Sequence, residues 1–332
     1  MGCSGVPFKW ASKSTRHTRF VQALDYAQDG ALFVSAGSDG QVLLYDGTNG
    51  EDKGALIAPG TNSAHAAGVF GAAFSRDGKK IATSSADRTV KLWDVVTGDV
   101  VQTWEFAGDA LLQQQVGNVF AGEAIVTASL AGELSVLDQR TSTPVKVLYG
   151  HQQPVTALAF ELAGGSETFW SGDSAGQVRQ WQKGVAAPVA GAGHAANVVG
   201  LANVGARELA SASFDDSVKL ITGAQFGPSS VSTGGQPKGI AAAGAKAFVV
   251  TASSVSAVEG GVKGATAAVE GGLSVATDGE LVAVGTETKT LLFKAADLTK
   301  VGEIEGRSPA TAVAFSGKGH LAVGHSTGKI GL

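Results

Sequence analysis

Short apolar runs of five or six residues recur along almost the whole chain, separated by turn residues. The pattern is clearest between residues 65 and 105. There VFGAAF, KIATSS and TVKLWD are split by Arg76-Asp77-Gly78 and Ala86-Asp87-Arg88. Alternation of apolar and polar positions with a period of two, broken by Gly and Asp, predicts strands joined by hairpin turns. Val101-Gln102-Thr103-Trp104 supplies a fourth, outer strand.

The same block repeats. Segments of similar pattern open at His17, His65, His151 and His194, which lie 48, 86 and 43 residues apart. The interval of 86 is two periods of 43, so one repeat between them has lost its histidine. Four strands in about 40–45 residues predict an all-β propeller. About eight blade-like units are expected. Three lie near 15–56, 63–108 and 109–150. Five more lie near 151–193, 194–235, 236–270, 271–306 and 307–332. Val6-Pro7-Phe8-Lys9-Trp10-Ala11 reads as an outer strand without its own blade, and the eighth unit ends inside its third strand.

Composition narrows the function classes. Charged residues make up 16% and hydrophobic ones 44% of the 332 positions, which excludes a disordered chain. The 47 glycines are spread along the length, as turn residues repeated many times would be. A net charge of −4 argues against a nucleic-acid partner. The single cysteine, Cys3, fits a reducing compartment. No apolar run is long enough for a membrane span. Met1-Gly2-Cys3-Ser4 has the start of a myristoylation signal, but Val6 stands where Ser or Thr is needed. A soluble, cytoplasmic chain is expected.

Catalytic chemistry has little foothold. Gly172-Asp173-Ser174-Ala175-Gly176 and Gly324-His325-Ser326-Thr327-Gly328 match the G-x-S-x-G spacing. That motif needs a strand-to-helix turn, whereas both segments fall between the second and third strands of a repeat. No phosphate-binding loop occurs. The histidines lie a period apart and Asp215-Asp216 reads as a turn cap, so no metal site is expected. The chain is expected to be a binding protein, without a cofactor or small-molecule substrate.

Trp93-Asp94 stands where WD repeats carry their name-giving pair, and the repeats resemble that family. In WD repeats a His, a Ser or Thr, an Asp and a Trp form a buried hydrogen-bonded chain. The resemblance places these roles on His65, Thr83, Asp87 and Trp93 in the second repeat. The first has His17, Ser35 and Asp39, with Tyr45 for Trp. The fourth has His151, Ser171 and Trp181, with Ala175 for Asp. The fifth has His194, Ser211 and Asp215, with Ile221 for Trp. The complete set makes the second blade the stiffest expected.

Further landmarks carry a narrower resemblance. They are Val6-Pro7-Phe8-Lys9-Trp10-Ala11, Arg19-Phe20-Val21 and Ser35 to Glu51. Leu112-Gln113-Gln114-Gln115-Val116-Gly117, Tyr149-Gly150-His151 and Gln236-Pro237-Lys238 add to them. Together these resemble the actin-interacting protein 1 family, WD-repeat cofactors of cofilin. That resemblance implies two seven-bladed propellers, with residues 1–150 matching the last blades of the first and 151–332 the first blades of the second. Two open arcs meeting near residue 150 are therefore expected. It also implies binding to actin filaments together with cofilin, filament disassembly, and a place in the actin cytoskeleton. Lys9, Trp10 and Phe20 fall on the family's actin-contact positions. The broader alternative is a WD-repeat interaction scaffold of another kind, such as a substrate receptor or assembly platform.

Overall fold

The computed structural model describes residues 13–14, 16–160, 168–182, 185–205, 208–306, 308–316 and 318–332. Among them are strands and turns and no helix. The strands form eight four-stranded antiparallel sheets, each a blade. Blade two shows the plan: inner strand Val69–Phe74, second strand Lys80–Ser85, third strand Thr89–Asp94 and outer strand Val100–Glu105. Its first three strands coincide with the three apolar runs of the sequence. The remaining blades span 21–56, 115–148, 155–188, 198–232, 237–268, 272–305 and 310–331.

Each blade is covered on both faces, so its second strand is buried almost throughout. Ile81, Ala82, Thr83, Ser84 and Ser85 have essentially no exposed surface. A strand with no wet face cannot keep a strict apolar–polar alternation. The core therefore lies between blades. Val34, Ala36, Val42 and Leu44 of blade one meet Val69, Phe74, Ile81 and Trp93 of blade two.

Side-chain hydrogen bonds cross these seams. The Thr156 hydroxyl donates to the Val198 carbonyl at 2.6 Å, and the Asn203 amide to the Phe160 carbonyl at 2.6 Å. Asp25 accepts the Phe74 N–H at 2.8 Å. Each fixes one blade against the next through a backbone group of the neighbouring inner strand.

The ring closes between its first and last blades. Lys13 pairs with Gly331 and Ser14 with Ile330, so the strand Lys13–Ser14 becomes the outer strand of blade eight. Val21, Tyr26 and Phe33 of blade one pack on Ala322, Ile330 and Leu332. The Thr311 hydroxyl donates to the Val21 carbonyl at 2.7 Å. Gly324 allows this contact, since a Cβ there would stand 2.5 Å from Val21 Cγ1. The closed ring differs from the two open arcs expected near residue 150. At that point the inner strands Gln115–Ala121 and Val155–Phe160 pack on each other as at the other seams. Closure protects edge strands that two arcs would leave open. The closing strand is 13–14, and the expected strand 6–11 lies outside the described residues.

Candidate functional site: the loop-bearing face of the ring

One face of the ring carries the loops between blades and the turns between second and third strands. The histidines hold these loops to these turns. In blade two, Trp93 Nε1–H donates to Thr83 Oγ1 at 2.9 Å, and Thr83 Oγ1 lies 2.7 Å from His65 Nε2. His65 Nδ1 lies 3.0 Å from the Asp87 carboxylate, which also accepts the Ala66 N–H at 3.0 Å. A carboxylate only accepts, so the His65 proton sits on Nδ1. The Thr83 hydroxyl then donates to Nε2, and every bond runs one way from indole to carboxylate.

Blades one and five follow the same plan without the indole. His17 lies 2.8 Å from Ser35 Oγ and 3.0 Å from Asp39. His194 lies 2.7 Å from Ser211 Oγ and 2.9 Å from Asp215. In place of the Trp stand Tyr45, stacked on Phe33, and the buried Ile221.

Blade four departs from expectation. Ala175 does not leave the set incomplete, because Asp173 takes the aspartate's place, 2.7 Å from His151 Nδ1. Ser171 lies 2.6 Å from His151 Nε2 and accepts the Trp181 indole at 2.7 Å. The carboxylate comes from the end of the second strand, Thr168–Asp173, instead of from the turn. In blade three the lost histidine is replaced by Gln115, whose side-chain oxygen accepts the Thr127 hydroxyl at 2.9 Å.

Electrostatics agree with a neutral ring and an ionised carboxylate. Burial pushes His65 and His194 below the ordinary histidine value, against the pull of Asp87 and Asp215. Burial opposes ionisation of Asp215. The Ser217 hydroxyl, Ala195 N–H and His194 ring outweigh it and hold the carboxyl down at about 2. Ser–His–Asp order is that of a nucleophilic triad. Yet Ser35, Thr83, Ser171 and Ser211 are fully buried, so no substrate atom reaches their hydroxyls. The arrangement holds loops in place. Both G-x-S-x-G segments run from a second strand into a turn, with Gly176 and Gly328 at φ +88° and +80°.

Phe20 lies on this face, 52% exposed, just before the inner strand Val21–Tyr26. Its carbonyl accepts the Ser38 N–H at 2.9 Å, which ties it to the blade-one turn. Lys9 and Trp10 lie outside the described residues. Sequence reasoning assigned no binding role to Phe70, Leu111 and Leu112, which are also exposed on this face.

Four-stranded blades in a closed ring, with histidine-clamped loops, define a WD-repeat β-propeller. The family model "WD domain, G-beta repeat" matches residues 10–46 and 59–94. The chain's homologues are proteins named actin-interacting protein 1 and WD repeat-containing protein 1. It is 34% identical to actin-interacting protein 1 of Drosophila melanogaster over 71% of this chain and 38% of that protein. It is 32% identical to WD repeat-containing protein 1 of Xenopus tropicalis over 74% of this chain and 41% of that protein. A 66 kDa stress protein of Physarum polycephalum is 34% identical over 96% of this chain and 54% of its own length. The chain thus spans about two fifths to a little over half of these relatives. Among solved structures, the computationally designed Ika8 protein aligns with a TM-score of 0.78 at 18% identity, over 95% of this chain and 96% of that one. That likeness concerns the fold alone. No helix among the described residues is long and apolar enough to cross a membrane.

Proposed function

We propose that this chain binds actin filaments together with cofilin and assists their disassembly, acting as a binding protein in the cytoplasmic actin cytoskeleton and not as an enzyme. The observation that carries this reading is Phe20. An aromatic at the position the resemblance implies stands half out of the fold on the loop-bearing face. The name of the Drosophila relative supports actin as the partner. Lys9 and Trp10 belong to the same proposed contact. Residues 1–150 and 151–332 are further read as counterparts of blades from two propellers in the longer relatives. The test is co-sedimentation with actin filaments, with and without cofilin. Binding is expected only or mainly on cofilin-decorated filaments, and Trp10→Ala and Phe20→Ala should each reduce it. Undiminished binding in both folded variants removes this contact from the mechanism.

A scaffold for other proteins is the second reading, and one observation favours it. The Lys238 ammonium lies 6.0 Å from the centroid of the exposed Phe214 ring, across the seam of blades five and six. Such a cation–aromatic pair is a frequent binding anchor.

A further inference from the structure

Proline follows a hydroxyl residue twice in the chain, at Thr143-Pro144 and at Ser308-Pro309. The fold separates the two. Ser308 is buried, and its hydroxyl lies 3.0 Å from that of Thr327. Thr143 is exposed, in the loop between the third strand Leu134–Leu137 and the outer strand Lys146–Leu148 of blade three. Its carbonyl accepts the Thr141 hydroxyl at 2.9 Å, while its own hydroxyl has no partner among the described residues.

The loop is pinned on either side of Thr143 and left open around it. The Thr141 carbonyl accepts the Trp104 indole N–H at 2.8 Å and the Gln102 amide at 2.7 Å, both from the outer strand of blade two. The Asp138 carboxylate accepts the Arg140 N–H at 2.9 Å. Downstream, the Val145 N–H rejoins the sheet at the Val136 carbonyl, 2.8 Å away. Ser142, Thr143 and Val145 face water between these anchors. The outer strand beyond them pairs only through Lys146, Val147 and Leu148. So short an edge strand opens locally at small cost, which lets the segment extend in another protein's cleft.

The residues after Thr143 narrow the chemistry. Pro144 has no N–H and a fixed φ, so a cleft that offers no acceptor at that position takes proline and disfavours other residues. Lys146 is exposed and puts a cation three residues after Thr143, where an acidic group of the same cleft can pair with it. We infer that Thr143 is a phosphorylation site for a proline-directed protein kinase that reads Pro144 and Lys146. The Thr143 Oγ attacks the γ-phosphorus of ATP. An O–P bond forms, the bond from that phosphorus to the β–γ bridging oxygen breaks, and ADP leaves. The hydroxyl proton passes to the catalytic aspartate of the kinase. Antiparallel strand order puts this loop on the face opposite Phe20. The phosphate therefore adds about −1.5 to −2 charges away from the proposed actin contact. There its oxygens compete with Asp138 for the exposed Arg140 guanidinium.

The experiment incubates the folded chain with ATP, Mg²⁺ and a purified cyclin-dependent protein kinase, and maps phosphate by fragmentation mass spectrometry. Thr143→Ala, Thr143→Ser, Pro144→Ala and Lys146→Ala are compared with the unmodified chain, after their unfolding midpoints have been matched. A single phosphate is expected, at Thr143, with Ser308 unmodified. Thr143→Ala abolishes it, and Thr143→Ser keeps it at the same position. Lys146→Ala slows incorporation about tenfold, as the loss of one hydrogen bond to a charged group would. Pro144→Ala slows it further. A folded chain that takes no phosphate overturns the inference, as does an undiminished rate in Thr143→Ala or Pro144→Ala. An undiminished rate in Lys146→Ala overturns the role given to the lysine.

Discussion

His151 Nδ1 lies 2.7 Å from the carboxylate of Asp173, a residue two positions nearer the second strand than the aspartates that serve His17, His65 and His194. Two backbone routes thus deliver a carboxylate to the same ring nitrogen. Blade four should tolerate either. Asp173→Ser is expected to lower stability by about 1–3 kcal/mol, because it strands a buried ring N–H. Adding Ala175→Asp should recover most of that loss. Urea unfolding of the single and double variants checks it, and a double variant no better than the single would show that the turn cannot reach His151.

Blade two offers the simplest deletion. His65→Ala removes the acceptor of the Thr83 hydroxyl and a donor to Asp87 at once. A loss of about 1–3 kcal/mol is expected in chemical denaturation. Actin co-sedimentation at low temperature should be unchanged, since the ring is buried. An unaltered unfolding midpoint would mean the network contributes nothing to stability.

Acid should act through two groups of residues with opposite signs. Asp215 titrates at about 2 in the fold and near ~3.9 in an unfolded chain. Its contribution is complete above pH ~4 and is lost as pH falls toward 2. His65 and His194 lie below their ordinary value of ~6.5, so their contribution also begins to fall as pH drops below it.

Asp25 runs the other way. Burial raises its carboxyl to about 6, despite the N–H groups of Phe74 and Tyr26. The folded chain then keeps a proton that the unfolded chain releases between pH ~4 and ~6, and stability tied to Asp25 falls as pH rises through that window. Asp25→Asn should therefore be more stable than the unmodified chain at pH 8, by about 1–2 kcal/mol, and no more stable at pH 4. Urea midpoints at the two pH values decide it. An equal shift at both would show that the carboxyl is ionised and well solvated in the fold.

The seam between blades one and eight can be tested by volume alone. Gly324 needs no left-handed backbone, so Gly324→Ala adds only a methyl group, 2.5 Å from Val21 Cγ1. Overpacking of this kind is expected to cost about 1–3 kcal/mol. Thermal unfolding of Gly324→Ala measures it, with Gly324→Ala/Val21→Gly as the relieving pair, since it removes both Val21 Cγ1 at 2.5 Å and Val21 Cβ at 2.8 Å. No loss in the single variant would mean that the seam yields freely.

How much of this was legible in the sequence depended on which forces write themselves locally. Val69–Phe74, Lys80–Ser85 and Thr89–Asp94 could be read to the residue, because turn chemistry and alternation bound them on both sides. Asp173 was missed because the repeat places its aspartate four residues after Ser171, and nothing in the spacing reveals that a side chain two residues nearer can reach. Gln115 was missed for the same reason: it replaces a histidine from a different strand position. Closure was misjudged because it depends on how eight blades curve together, and no single repeat encodes that. Exposure of Leu111 and Leu112 follows from the Asp109 turn, which lies outside any strand pattern.

The pairing of Ser14 with Ile330 also sets an order of events during synthesis. Residues 13–14 are synthesised long before Ile330 and Gly331 and must wait for them. Blades can form one by one as they emerge, each from local hairpins. Until then, the blade-one face that meets Ala322 and Ile330 stays open, with Val21 and Phe33 uncovered. Contacts of such long sequence separation form late and slowly, and an uncovered apolar face in a growing chain invites association with its neighbours. A nascent ring of this kind depends on the speed at which blade eight follows blade one.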